Sequence, residues 1–150
     1  MPYTPEYNPQ DVPKDYLEKA KQYLCFKGAI LETYEDVVNW LGLGLGGVSY
    51  GTPWGDCSVD SEGYFIWRPG NGGHANAILG YGGPEDSDGL PEYLEDLNSW
   101  GTQSLDGGWA KIRRSTFEKM KKNKNTVVVG ISDMNNLKPR KISFEEHFPI

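Results

Sequence analysis

Glycine and proline set the first limit on what this chain can become. Nineteen glycines and ten prolines are spread through its 150 residues. Such spacing excludes a bundle of long helices and favours short elements joined by many turns and irregular segments. The other residues are those of a folded globule, with 37% hydrophobic, 13% aromatic and 24% charged, rather than of a disordered or fibrous chain. At this length one domain with a small core is the simplest organisation.

Residues 1–13 hold Pro2, Pro5, Pro9 and Pro13 with two tyrosines, which predicts an extended arm. Residues 14–150 are then a single domain. Leu17, Ala20 and Leu24 have helical spacing, whereas Tyr23 to Leu31 is apolar enough to run as a strand. Thr33 with Asp36 forms a capping-box pattern that starts a helix through Val37, Trp40 and Leu41, ended by the glycines at 42, 44, 46 and 47. Strands are predicted at Val48–Trp54, Tyr64–Trp67, His74–Tyr81, Tyr93–Asn98 and Trp109–Ile112. A short helix follows from Ser115 through Phe117 and Met120, and the β-branched run Thr126–Ile131 closes the sheet. The class is α+β.

The net charge of -6 argues against a nucleic-acid or anionic-membrane binder. The basic run Lys111, Arg113, Arg114, Lys119, Lys121, Lys122 and Lys124 stands against it, as a solvated helix face or as a docking patch for an acidic partner. No apolar stretch approaches membrane-spanning length and Met1-Pro2-Tyr3 does not open a signal peptide. A soluble chain is expected, with cytoplasmic and particle-associated locations both open. Cys25 and Cys57 have no metal-type spacing, and a disulfide between them stays open. His147 beside Glu145 and Glu146 lacks a third ligand at motif spacing. No metal and no cofactor are expected.

Chemistry concentrates in three short segments in one order: Gly72-Gly73-His74-Ala75, Gly80-Tyr81-Gly82 and Asn98-Ser99-Trp100-Gly101. A histidine on a strand serves as a general base when a side chain on a neighbouring strand accepts its second N–H and fixes ring and tautomer. Asn98 is suited to that role without adding charge, and Trp100 to covering the hydrogen bond.

These segments resemble those of papain-like cysteine peptidases, where the histidine strand, a G-Y-G turn and N-S-W-G follow in this order. The resemblance extends more weakly over residues 20–131. It implies the C-terminal half of that fold, an antiparallel β-barrel-like sheet with a few short helices, with His74 as base, Asn98 as its orienter and Trp100 as cover. The family's nucleophile segment, a glutamine and a C-W pair opening a long helix, does not occur here. Met1 falls about where that half would end. Gln103-Ser104-Leu105-Asp106-Gly107-Gly108-Trp109 also replaces the family's next motif. Cys25 reads as a small apolar residue. Cys57, between the strand at 48–54 and the histidine strand, is the remaining candidate for a relocated nucleophile, although no helix N-terminus is evident there and Asp56 adds a negative neighbour.

Three functions follow as expectations. The chain is a domain without its own peptidase activity that serves as a structural or binding component of a larger assembly, for example a virion. Alternatively it pairs with a nucleophile-bearing half from another chain, or it is a thiol hydrolase using Cys57 with His74. The partner expected is therefore a protein, with no nucleic acid and no membrane.

Overall fold

The computed structural model describes residues 13–21, 25–100 and 107–134. The first twelve residues of the expected arm, residues 103–106 of the divergent stretch, and His147 lie outside the described residues. Two compact units are present, residues 27–133 and residues 1–26 with 134–150. In the second of these, α1 (Lys14–Ala20) starts after Pro13, whose carbonyl accepts from the N–H groups of Tyr16 and Leu17 at 3.0 and 3.2 Å. Proline is tolerated at such a helix start because its missing N–H would have no partner there.

The larger unit is built on a six-stranded sheet in the order β1-β8-β2-β5-β6-β7, with a two-stranded hairpin, β3-β4, beside it. The strands are β1 (Cys25–Ile30), β2 (Val48–Trp54), β3 (Ser58–Val59), β4 (Phe65–Ile66), β5 (Gly72–Glu85), β6 (Pro91–Leu97), β7 (Trp109–Arg113) and β8 (Val127–Met134). β2 pairs antiparallel with β5 and with β8, and β6 with β5 and β7. A parallel bridge from Tyr64 to Lys111 ties the hairpin to the β7 edge.

Strand alternation delivers one face of this sheet to the core. Val48, Tyr50 and Thr52 of β2 are buried, as are Asn76 and Ile78 of β5, Leu94 and Asp96 of β6, and Ala110 and Ile112 of β7. Two helices close over apolar residues, α2 (Tyr34–Gly42) burying Tyr34 and Val37, and α3 (Arg114–Lys121) burying Phe117 and Met120. The Tyr34 and Phe117 rings meet edge to face at 5.7 Å, a favoured aromatic geometry. Among the described residues no helix is long and apolar enough to cross a membrane.

The elements fall near their expected bounds, and the differences have local causes. β5 runs beyond the predicted Tyr81 and shifts register between Ile78 and Gly80 and again between Gly82 and Glu85. The glycines permit this, because a Cβ on Gly80 would meet the Glu95 carboxylate and one on Gly82 the Tyr93 ring. The predicted Tyr64–Trp67 strand shrinks to two residues, and the Trp67 indole N–H instead donates to the Pro53 carbonyl at 3.0 Å. Ser58–Val59, outside the predicted strands, pairs with Phe65 and Ile66.

The basic run is largely engaged within the fold. Arg113 stacks its guanidinium 3.3 Å over the Tyr64 ring and pairs with Asp60 and Glu62. Arg114 pairs with Asp86, Asp88 and Glu118, and Lys121 with Glu32.

The capping box is formed in full. Thr33 Oγ1 accepts from Asp36 N–H at 3.0 Å, and Asp36 Oδ2 accepts from the N–H groups of Thr33 and Glu32 at 2.9 and 3.0 Å. These bonds, that from Thr33 foremost, hold the Asp36 carboxyl below its ordinary range. Thr33→Ala removes the side-chain acceptor and is expected to lower unfolding free energy by about 1 kcal/mol in urea denaturation.

Candidate active site

His74 lies on β5 opposite Thr52 of β2, and Asn98 is the first residue past the end of β6. Their side chains meet, with His74 Nε2 3.2 Å from Asn98 Oδ1. The same oxygen accepts the Trp100 backbone N–H, also at 3.2 Å. Since a backbone N–H can only donate, that atom of the amide must be the oxygen, and His74 Nε2 must then carry a proton. The neutral ring is thereby fixed as the Nε2–H tautomer, leaving Nδ1 as its acceptor.

Aromatic rings hold the imidazole in place. Trp100 lies tilted over it with centroids 4.5 Å apart, and Trp54 approaches from β2 at 4.6 Å. Trp54 in turn stacks on Phe65 at 5.1 Å and meets Trp100 edge to face at 5.6 Å. Asn98 is buried at 4% exposure, while Trp100, whose ring lies against His74, is half exposed. Trp54 carries no local motif; its place is set by the register that puts Trp54 opposite Gly72.

Cys57 is a free thiol. Its Sγ donates to the Arg68 carbonyl and accepts from the Arg68 N–H, both at 3.3 Å. Among the described residues no hydrogen bond joins Cys57 to His74. The sequence thus places His74, Asn98 and Trp100 together, while the Cys57 thiol is held by the loop backbone. The side chain of Cys25 lies outside the described residues. Among the described residues there is no cluster of three or more His, Cys, Asp or Glu side chains arranged to hold a metal. A concavity lined by Asp60, Glu62, Glu95, Trp109 and Lys111 includes none of the His74 group.

Beneath the pair lies a polar group that no motif announced. Asp96, with 0% exposure, accepts at Oδ2 from Asn76 Nδ2 at 2.9 Å, and that Nδ2 is also 3.3 Å from the Tyr50 hydroxyl. Burial pushes the Asp96 carboxyl up to about 7, against the opposing hydrogen bonds from Tyr50 and Asn76. Burial likewise raises the Tyr50 hydroxyl. The available sequence signal is phase: Asn76 shares a strand face with Ile78, and Asp96 with Leu94, so both fall at core positions.

No protein-family model matches this sequence, and no curated protein does. Among solved structures, digestive procathepsin L2 proteinase from the larval midgut of Tenebrio molitor is similar, with a TM-score of 0.50 and 20% identity over 89% of this chain and 41% of that one. The fold is papain-like. The Amb a 11 cysteine protease of ragweed pollen in its proform matches at a TM-score of 0.49 and 18% identity, covering 91% of this chain and 41% of that one. ProCathepsin B S9 from Trypanosoma congolense follows at 0.46 and 18%, covering 75% and 38%. This papain-like chain therefore spans less than half the length of these neighbours.

Two outcomes test the site as built. Asn98→Ala strips the shared acceptor from His74 and from the Trp100 N–H, and is expected to cost about 1–3 kcal/mol in urea denaturation. Asp96 makes stability depend on pH. The fold binds this proton more tightly than the unfolded chain, so the stabilisation is complete below the ordinary carboxylate range and is lost as pH rises through about 7. The loss amounts to on the order of 4 kcal/mol at most. Asp96→Asn should flatten the fall in unfolding free energy between acid and neutral pH, read from urea midpoints across that range.

Proposed function

We propose that the chain supplies the base half of a papain-type thiol site and works inside a larger protein assembly, with no peptidase activity of its own. The observation that carries this is the double use of Asn98 Oδ1, which commits His74 Nε2 to a proton and leaves Nδ1 to take one. In thiol chemistry such a base accepts the S–H proton as sulfur attacks an amide carbonyl, then returns it to the leaving amine. The Cys57 thiol is turned to the Arg68 backbone, which favours a cysteine from another polypeptide as the nucleophile.

A second reading keeps the same fold as a scaffold in an assembly such as a virion, its His74 pair no longer used. Exposed Leu43, Leu45, Leu79 and Tyr81 favour a protein contact.

Hydrolysis of a fluorogenic peptide amide under reducing conditions tests these readings. The purified chain is expected to give none. Mixing with a polypeptide bearing a papain-type cysteine helix is expected to restore turnover that falls about 10²–10⁴-fold with His74→Ala. Thiol-dependent hydrolysis by the chain alone, lost in Cys57→Ser, would overturn the proposal in favour of a self-contained thiol enzyme. Failure of complementation, with assembly lost on deleting residues 2–13, would favour the scaffold.

A further inference from the structure

A single hydrogen bond does not fix the direction in which His74 presents its acceptor. The contact between Nε2 and Asn98 Oδ1 at 3.2 Å holds a ring atom that lies close to the Cβ–Cγ axis, about which a histidine ring turns in a broad torsional well. Nδ1 lies farther from that axis. A swing that keeps the Asn98 bond therefore displaces Nδ1 most, and with it the lone pair that has to meet a proton. Proton transfer tolerates little such error, about 0.5 Å and 10–20°.

Rings from two separate elements limit the swing. Trp100 lies tilted over the imidazole at 36° with centroids 4.5 Å apart, and its backbone N–H is bonded to Asn98, so its place follows that of the orienter. Trp54 comes from β2, meets the imidazole at 65° with centroids 4.6 Å apart, and stands at 83° to Trp100. Two nearly perpendicular walls confine a flat ring, whereas one wall leaves it free to slide.

Trp54 is held independently of Asn98. Its indole stacks at 28° and 5.1 Å on Phe65 of the β3-β4 hairpin, which is buried at 3% exposure. The segment leading into β5 crosses the backbone here at close range, since a Cβ on Gly70 would meet the Trp54 carbonyl and the Gly55 Cα, and the Gly55 N–H donates to the Arg68 carbonyl at 2.9 Å.

We propose that Trp54 is a positioning residue for the base, fixing the ring plane of His74 and so the aim of Nδ1, which the Asn98 hydrogen bond leaves open. This rests on the reading of His74 and Asn98 as base and orienter. A Trp54 that served only to pack beside the core would be replaceable by another bulky apolar side chain with no effect on the order of the imidazole.

The test is carbon-13 relaxation of the Cδ2–H bond of labelled histidine in the His147→Gln chain, in which His74 is the only histidine, with nitrogen-15 shifts reporting the tautomer. With Trp54 present the ring is expected to be ordered, with an order parameter of about 0.85, and Trp54→Phe to keep it so, whereas Trp54→Leu is expected to bring it below about 0.6 while Nε2 keeps its proton. A mobile ring in the chain with Trp54 intact overturns the inference and needs no variant to fold. A ring as ordered in Trp54→Leu as with Trp54, and still in the Nε2–H form, overturns the Trp54 role and leaves the base-and-orienter reading standing. A neutral ring in the Nδ1–H form with Trp54 intact overturns both.

Discussion

The strand β5 is hydrogen-bonded along both edges, to β2 over seven residue pairs and to β6 beyond it, and the rest of the larger unit is arranged around that double pairing. Its inward residues meet both neighbouring strands at once. Thr52 and Tyr50 lie across one edge, Asp96 and Asn98 come from the other, and Ile78 sits in the apolar core between them. A one-residue slip on either side would turn His74 away from Asn98 and bury the wrong face. The same register therefore specifies the core and the site.

On this frame Asn98 does work that a charged residue would do less safely. Its oxygen accepts from a backbone N–H and an imidazole N–H without adding a charge to a position with 4% exposure. Asp96, two residues earlier on the same face, shows the contrasting case. There a carboxyl is buried with few donors and its proton is held more tightly. Two similar side chains thus differ in function because one is neutral by constitution and the other only by protonation.

Much of this could be read from the residues in order. His74, Asn98 and Trp100 stand in short motifs whose glycines and alternation announce strands, and Thr33 with Asp36 announces the cap of α2. Their contacts follow from local pattern plus one antiparallel pairing. Trp54 was not legible, since its approach to His74 depends on how far β2 runs against β5, which no nearby residue marks. Nor was the Tyr50, Asn76 and Asp96 group, which exists only where three strands bring separate core positions together. Cys57 illustrates the converse, because its address on the loop after β2 is suggestive while its thiol answers to the Arg68 backbone, a pairing that the hairpin β3-β4 creates across the chain.

The two indoles against His74 have an optical consequence. Trp54 and Trp100 lie within 4.6 Å of the imidazole, close enough for a protonated ring to form a cation–π contact and to quench their emission. The fold thus carries its own spectroscopic gauge of the histidine's charge, readable in dilute solution without a label. Any molecule that settled over the half-exposed Trp100 would register in the same signal.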